Sequence, residues 1–465
     1  MGWNDMMNNG KQTVIGKKHR EWRKPSPTQI ITLGFAIVIA TGTLLLTLPI
    51  ASADGRSIGG FDALFTATSG TCVTGLSVMD VGTRLSTFGQ VVLLLMIQVG
   101  GLGFMAVTTL FQLIAGKRIG LRERLLLKES LNENGVGGMV GLMRWALIST
   151  FTIEIAGALL LAVRMIPLYG PGRGLYYALF HSVSAYCNAG FDLIGLGQSY
   201  VRFQHDPVVQ LTTILLVLFG GLGFGVQRDL CRNRFHFSKC RLQTKVVLAM
   251  TLFMTLLGTM FIAAAEWGNP NTLADMNVLE KGMNALFQSV TLRTAGYATV
   301  DQAALRNASK LFCCIWMFVG AAPASTGGGV KVTTFALLLL MMRSTMQGRS
   351  EVTAFKRTLP RDLVRRGVTL VTISMSVLLM STLALSLTES GQSLADVLFL
   401  CTSALATVGL SAFDCALIST VGRAVIIVLM FMGRVGPLTM ALALARRQSA
   451  TGETLRYPED RMMIG

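Results

Sequence analysis

The chain has 465 residues, of which 52% are hydrophobic and 14% charged, and a formal net charge of +17. Soluble domains carry about 25% charged residues, so this composition, with a mean hydropathy of +0.56, excludes an ordinary water-soluble fold. The positive charge is not a nucleic-acid footprint either: Lys and Arg gather in residues 1–28, 117–144, 227–245, 343–367 and 446–465, with acidic residues such as Asp54, Asp192, Asp301 and Asp414 between them.

That alternation follows the positive-inside rule and divides the chain into nine segments. A basic cytoplasmic N-terminus (1–28) leads into repeat 1 (29–116) and a linker (117–144). Repeat 2 (145–226) and a second linker (227–245) follow. Repeat 3 (246–342), a third linker (343–367), repeat 4 (368–445) and a basic tail (446–465) complete the chain. Each repeat opens with an apolar run of membrane length, roughly 29–50, 145–167, 246–266 and 368–388, since a spanning helix needs about 20 apolar residues. A second run closes each repeat, at roughly 87–116, 207–226, 309–342 and 422–445. The first run is too long for the apolar core of a signal peptide. Eight spans with both termini cytoplasmic, in the plasma membrane, are therefore expected.

Between the two runs lies a shorter, more polar segment with a shared pattern. Ala63-Leu64-Phe65 leads through Ser69 to Val73-Thr74-Gly75, and Ala178-Leu179-Phe180 through Ser184 to Asn188-Ala189-Gly190. Ala285-Leu286-Phe287 leads through Ser289 to Thr294-Ala295-Gly296, and Val397-Leu398-Phe399 through Ser403 to Thr407-Val408-Gly409. The interval from Phe to Gly is ten residues in three copies and nine in the third. The expected fold is thus an all-α membrane protein of four tandem helix–pore loop–helix repeats around a pseudo-fourfold central pore. Turn glycines would explain one such segment; four in matched context point to loops closing on one axis. Non-helical backbone at membrane depth must be buried in protein or line a watery cavity. Its carbonyls can replace a cation's hydration shell, as potassium filters do, so the expectation is that potassium is both the transported ion and the metal held, by backbone oxygens alone. Asn188 stands where a Thr is read in the other repeats, which makes the pore unequal.

The second runs echo one another through Gly100-Gly101-Leu102-Gly103-Phe104 and Gly220-Gly221-Leu222-Gly223-Phe224, with Gly320 and Gly433 in similar places. Close helix packing explains these glycines better than nucleotide binding. The eight cysteines show no CxxC pair and read as packing residues. Four histidines, none paired in a span, give no support to a membrane enzyme, and no covalent cofactor is expected.

The motifs Cys72-Val73-Thr74-Gly75-Leu76, Gln288-Ser289-Val290-Thr291 with Arg293-Thr294-Ala295-Gly296, Ser325-Thr326-Gly327-Gly328-Gly329-Val330-Lys331 and Met432-Gly433-Arg434-Val435-Gly436-Pro437 resemble the Trk/Ktr/HKT superfamily of potassium transporters. The likeness runs from about Pro25 to Arg447 and is nearest the KtrB type, because the two extra leading spans usual in Trk relatives are missing. It implies that Gly75, Gly190, Gly296 and Gly409 line a selectivity filter. It also implies a gate below the filter, where the second run of repeat 3 breaks from Gly320 through Pro323, Ser325, Thr326, Gly327, Gly328 and Gly329 to Lys331, and where Arg434 projects. A packing arginine is the alternative for Arg434, and a snorkelling side chain for Lys331. Arg293 is expected to brace the third loop from behind. Glu154, an intramembrane acid, suits either ion coupling or a helix-packing hydrogen bond. The resemblance further implies a homodimer in the bilayer and a cytosolic nucleotide-binding regulatory ring, with sodium as a second candidate ion. A sodium- or proton-coupled alternating-access carrier is the rival function; it calls for inverted repeats and paired carboxylates.

Overall fold

The computed structural model describes residues 27–103, 138–195, 197, 199–349 and 351–436. Repeat 1 comprises α1 (Pro27–Thr47), α2 (Gly60–Cys72), the single turn α3 (Val81–Arg84) and α4 (Thr87–Leu102). Repeat 2 comprises α5 (Met139–Tyr169), α6 (Pro171–Tyr186), α7 (Pro207–Leu222) and α8 (Phe224–Arg232). Repeat 3 holds α9 (Leu242–Glu266), α10 (Val278–Thr291), α11 (Asn307–Phe318) and α12 (Val332–Met346). A two-residue-per-strand hairpin, β1 (Thr353–Ala354) and β2 (Arg357–Thr358), precedes repeat 4, which contains α13 (Arg361–Thr388), α14 (Leu394–Ala406) and α15 (Thr420–Val435). The N-terminal segment 1–26, most of the linker 117–144 and the tail 446–465 lie outside the described residues.

The opening helices α1, α5, α9 and α13 are each long and apolar enough to cross a bilayer. Helix is the form that satisfies every backbone group internally in hydrocarbon. Their outer faces carry exposed leucines such as Leu44, Leu159, Leu256 and Leu383, whereas the interior buries Thr66, Ser69, Ser184, Asn188, Thr294 and Ser403. Apolar outside and polar inside is the reverse of a soluble protein, and it places the polar groups around a central axis. Seven of the eight cysteines are buried as the packing reading expects; Cys231 is exposed on α8 and packs nothing, because the amphipathic α8 turns it outward.

Outside repeat 3, where a break is expected, the closing helices depart from the expected continuous runs. α4, α7 and α15 stop at Gly103, Gly223 and Gly436, whose φ values of 85°, 86° and 96° leave the helical region and suit glycine alone. After Gly223 the chain resumes as α8, bent by 96° from α7. In repeat 3 the interruption is longer and runs from Val319 to Lys331 between α11 and α12. The expected stretches 104–116 and 437–445 fall outside the described residues.

The four repeats close into a ring. α4 packs on α6, α7 on α10, α11 on α14, and α15 returns to α2. Thus each closing helix leans on the short helix of the next repeat. Polar pairs fasten all four joints. The Tyr176 hydroxyl donates to Gln90 Oε1 at 3.2 Å, and His205, just ahead of α7, pairs with Glu280 at 3.0 Å. Lys310 meets Asp396 at 2.7 Å and Arg423 meets Asp62 at 2.8 Å. Gln90, Lys310 and Arg423 sit ten residues before Gly100, Gly320 and Gly433 respectively, so one structural position supplies an amide in repeat 1 and a cation in repeats 3 and 4.

Candidate functional site: a ring of glycine loops and the segment beneath it

The short helices α2, α6, α10 and α14 have 13 to 16 residues, too few to span, and each hands over to a loop with the same backbone path. Val73, Asn188, Thr294 and Thr407 all lie in the left-handed region, at φ of 57°, 60°, 65° and 54°. Two residues on, Gly75, Gly190, Gly296 and Gly409 take φ of 95°, 67°, 81° and 100°. A left-handed residue costs about 1–2 kcal/mol when it is not glycine, so four in register mark a path imposed by the surroundings. The alignment also corrects one expectation. The residue matching Asn188 in repeat 1 is Val73, not a threonine, because Thr74 occupies the middle position of its loop. The four equivalent side chains are therefore Val, Asn, Thr and Thr.

The loops meet in a closed ring. A methyl group on Gly75 would lie 2.5 Å from the Ala189 carbonyl oxygen, and one on Gly190 would lie 2.6 Å from that of Ala295. Likewise Gly296 abuts the Val408 oxygen, and Gly409 abuts the Thr74 oxygen. Each glycine thus touches the middle carbonyl of the neighbouring loop, and the fourth touches the first. No side chain fits at any of the four positions.

Hydroxyls behind the loops hold this path in two ways. In repeats 1 and 4 the glycine N–H donates to a serine, Gly75 to Ser69 Oγ at 3.1 Å and Gly409 to Ser403 Oγ at 3.0 Å. In repeats 2 and 3 the hydroxyl donates instead to the carbonyl after the glycine, from Ser184 to Phe191 at 2.8 Å and from Thr291 to Tyr297 at 2.6 Å. The expected counterpart in repeat 3, Ser289, does not act here: its hydroxyl donates to the Thr255 carbonyl on α9 at 2.9 Å. Counted from the leading Phe, the bracing residue is the fourth in every repeat, namely Ser69, Ser184, Thr291 and Ser403, so Thr291 and not Ser289 is the match, and that count was the available signal. Arg293 is buried and directs its guanidinium to Thr251 on α9 at 3.1 Å, away from the ring. Glu154 is buried on α5 between Gln98, which donates to it at 3.3 Å, and the Cys187 sulfur at 3.8 Å. It therefore bridges the closing helix of repeat 1 and the end of the short helix of repeat 2.

Under the ring lies the interrupted stretch of repeat 3. The Thr326 hydroxyl sits 3.0 Å from the Tyr186 carbonyl and 3.1 Å from Asn188 Oδ1. A methyl on Gly327 would strike Thr294 Oγ1, and one on Gly328 would strike Thr407 Oγ1. Three consecutive residues thus touch the left-handed residues of repeats 2, 3 and 4. The Thr74 and Thr407 hydroxyls are buried with no hydrogen-bond partner in the protein.

Broken helices anchor the stretch. A helix end leaves carbonyls without partners and carries about half a negative charge. At the end of α7, the Gly221 carbonyl accepts from Ala322 N–H at 3.0 Å and that of Gly220 from Thr326 N–H at 3.3 Å. At the end of α4, the carbonyls of Gly100 and Gly101 accept from Arg434, whose other terminal nitrogen donates to the Thr326 carbonyl. Lys331 folds back to the Gly327 carbonyl at 2.8 Å, closing the stretch on itself. Gly320 abuts the Gly328 carbonyl, while Pro323 meets the break in α7, its carbonyl 2.5 Å from where a Gly223 methyl would be. Ser325 donates to the Ala322 carbonyl at 2.6 Å.

Comparison with known proteins places this geometry. The model of the TrkH family, described as cation transport protein, matches residues 6–451. The Ktr system potassium uptake protein B of Bacillus subtilis is 37% identical over 97% of this chain and the full length of that protein. The potassium/sodium uptake protein NtpJ of Enterococcus hirae is 36% identical, again over 97% of this chain and all of its own length. Among solved structures, the potassium transporter TrkH from Vibrio parahaemolyticus superposes with a TM-score of 0.73 at 18% identity, covering 91% of this chain and 86% of that one, which is a likeness of fold.

Proposed function

Because the chain belongs to the TrkH family of cation transport proteins, we propose that it takes up potassium through the glycine ring and that the stretch from Gly320 to Lys331, with Arg434, gates the passage. It is a transporter and not an enzyme. The observation that carries the reading is the fourfold contact of each glycine with the neighbouring middle carbonyl. Carbonyls of Val73, Thr74 and Gly75 and their counterparts in the other loops replace the water shell of a dehydrating potassium ion. The short helices direct their carboxyl ends, each with about half a negative charge, toward the ion below. No side-chain carboxylate is required. Each loop has one glycine where a tetrameric channel signature has two, so the ring holds fewer ions in line and discriminates less sharply against sodium. The potassium/sodium naming of a 36% identical relative accords with sodium as a second ion.

In the gate, the Arg434 guanidinium and the Lys331 ammonium oppose a cation below the ring, and the stretch fills the space beneath three of the four loops. Opening requires Arg434 to release the Thr326 carbonyl and the stretch to release the end of α7. A homodimer and a cytosolic regulatory ring of the Ktr type belong to the same reading. The basic segments 227–245 and 343–367, on the side assigned to the cytoplasm together with both termini, are the surfaces such a ring would meet. The rival alternating-access carrier is less well supported, since the repeats share one orientation and Glu154 is engaged in packing.

Rubidium uptake by proteoliposomes, with potassium or sodium as competitor, tests the assignment. Gly75→Ser should reduce the preference for potassium over sodium, and unchanged selectivity in a well-folded variant would overturn the assignment of the ring as the filter.

A further inference from the structure

A cavity of about 950 Å³ opens below the interrupted stretch, between α8, the start of α9, α12 and the β1–β2 hairpin. Pro323 reaches it from above, so it adjoins the gate. Four arginines line it: Arg228 and Arg232 on α8, Arg241 at the start of α9, and Arg357 on β2. Arg228 and Arg232 are one turn apart and therefore share a face of α8. The one acid among the lining residues, Asp229, is already engaged. It accepts from the Arg241 N–H at 2.9 Å, the Thr244 hydroxyl at 2.7 Å and the Asn233 amide at 3.0 Å, which caps α9. Among the described residues none of the four guanidiniums forms an ion pair. Four arginines against the one carboxylate of Asp229 leave the lining with an excess of three positive charges, which beside a cation pathway raises the barrier to entry unless an anion offsets it.

Between the arginines the wall is mixed: Gln243 and Thr333 are polar, while Leu337, Leu340, Leu363 and Val246 form an apolar side. An arginine rim over an apolar side fits a molecule with a phosphate head and a hydrocarbon body. The level is also that of a membrane surface. α7 ends at Gly223, and α8 leaves at 96° to it, with Phe224 and Val226 packed into the protein and Arg232 exposed, in one of the basic segments on the side read as cytoplasmic.

We propose that this cavity is a binding site for the phosphate head of an anionic phospholipid from the cytoplasmic leaflet. The lipid phosphate offsets part of the positive charge of Arg228, Arg232, Arg241 and Arg357, and its chains prop Pro323 and α12 in place. Binding stands apart from the gate assignment; an effect on flux rests on it. The test uses the full-length protein and the double variant Arg232→Gln/Arg241→Gln. Native mass spectrometry after exchange into phosphatidylglycerol should show lipid retained by the wild type and retained roughly thirtyfold less by the variant. Rubidium uptake should be faster in phosphatidylcholine vesicles containing phosphatidylglycerol than in phosphatidylcholine alone, and the variant should lose that difference. Equal retention by the two proteins would overturn the site. Restoration of uptake in pure phosphatidylcholine by inorganic phosphate would overturn the lipid as its occupant. Lipid retention with no effect on uptake would support the site while removing its link to the gate.

Discussion

The Thr326 hydroxyl lies 3.1 Å from Asn188 Oδ1, which ties the interrupted helix of repeat 3 to the loop of repeat 2. Asn188 also donates to the Arg293 carbonyl at 3.2 Å, so one amide links three parts of the proposed pore. Thr326→Ala removes the hydroxyl and leaves Asn188 and the Tyr186 carbonyl short of a partner, at a cost of about 1 kcal/mol. The expected outcome is a several-fold rise in rubidium uptake with selectivity unchanged, because the ring itself is untouched. Lower uptake from well-folded protein would argue against a closed gate in this conformation.

Arg434→Ala should have a larger effect. Hydrogen bonds to a charged group contribute about 1.5–3 kcal/mol, and the guanidinium serves both the end of α4 and the Thr326 carbonyl. Uptake at low external potassium should rise by roughly tenfold or more, measured in vesicles against the wild type. Arg434→Lys keeps the charge but not the fork, and should fall between the two. If Lys behaves as Ala does, geometry and not charge controls the closed state.

The two kinds of brace behind the loops should be separable. Ser69→Ala and Ser403→Ala each remove an acceptor from a glycine of the proposed filter, and both should lower potassium preference alongside a stability loss of about 1 kcal/mol. Ser289→Ala should cost similar stability, since its hydroxyl serves α9, but leave selectivity intact. Thermal unfolding combined with competition uptake checks the pair. Equal selectivity loss from Ser289→Ala would return that residue to the loop.

Gly220→Ala introduces a methyl against the Tyr186 carbonyl, 2.7 Å from Asn188 Oδ1 and 2.8 Å from the Thr326 hydroxyl. Overpacking of this kind costs about 1–3 kcal/mol, and here it falls on the contact between the proposed gate and the proposed filter, so uptake and stability should both drop. Gly268→Ala is the control: nothing lies within 4 Å of its added carbon, and it should match the wild type in both.

The repeats were legible because lipid leaves so few options. Long apolar runs must be helices, and Phe-to-Gly spacing survives divergence where most side chains do not. The register inside the loops was harder to read. Val73 and Thr74 are both plausible partners for Asn188 by residue type, and only the shared left-handed φ decides between them. Ser289 misled by residue type alone: it stands two residues after Phe287, whereas the brace stands four after Phe in every repeat. The glycine breaks at Gly103, Gly223 and Gly436 were visible as residues, but helix packing explained them equally well without a bend. The carbonyl capping by Arg434 depends on contacts between residues more than 300 apart in sequence, which no local pattern encodes.

The joint between α15 and α2 is of the same kind as the other three, and α1 also touches α15. The seam between the first and fourth repeats therefore exists in the covalent chain and not in the packing. A circular permutant, joined across the native ends and opened in a linker between two repeats, should assemble the same ring, with its point of entry moved a quarter of the way around.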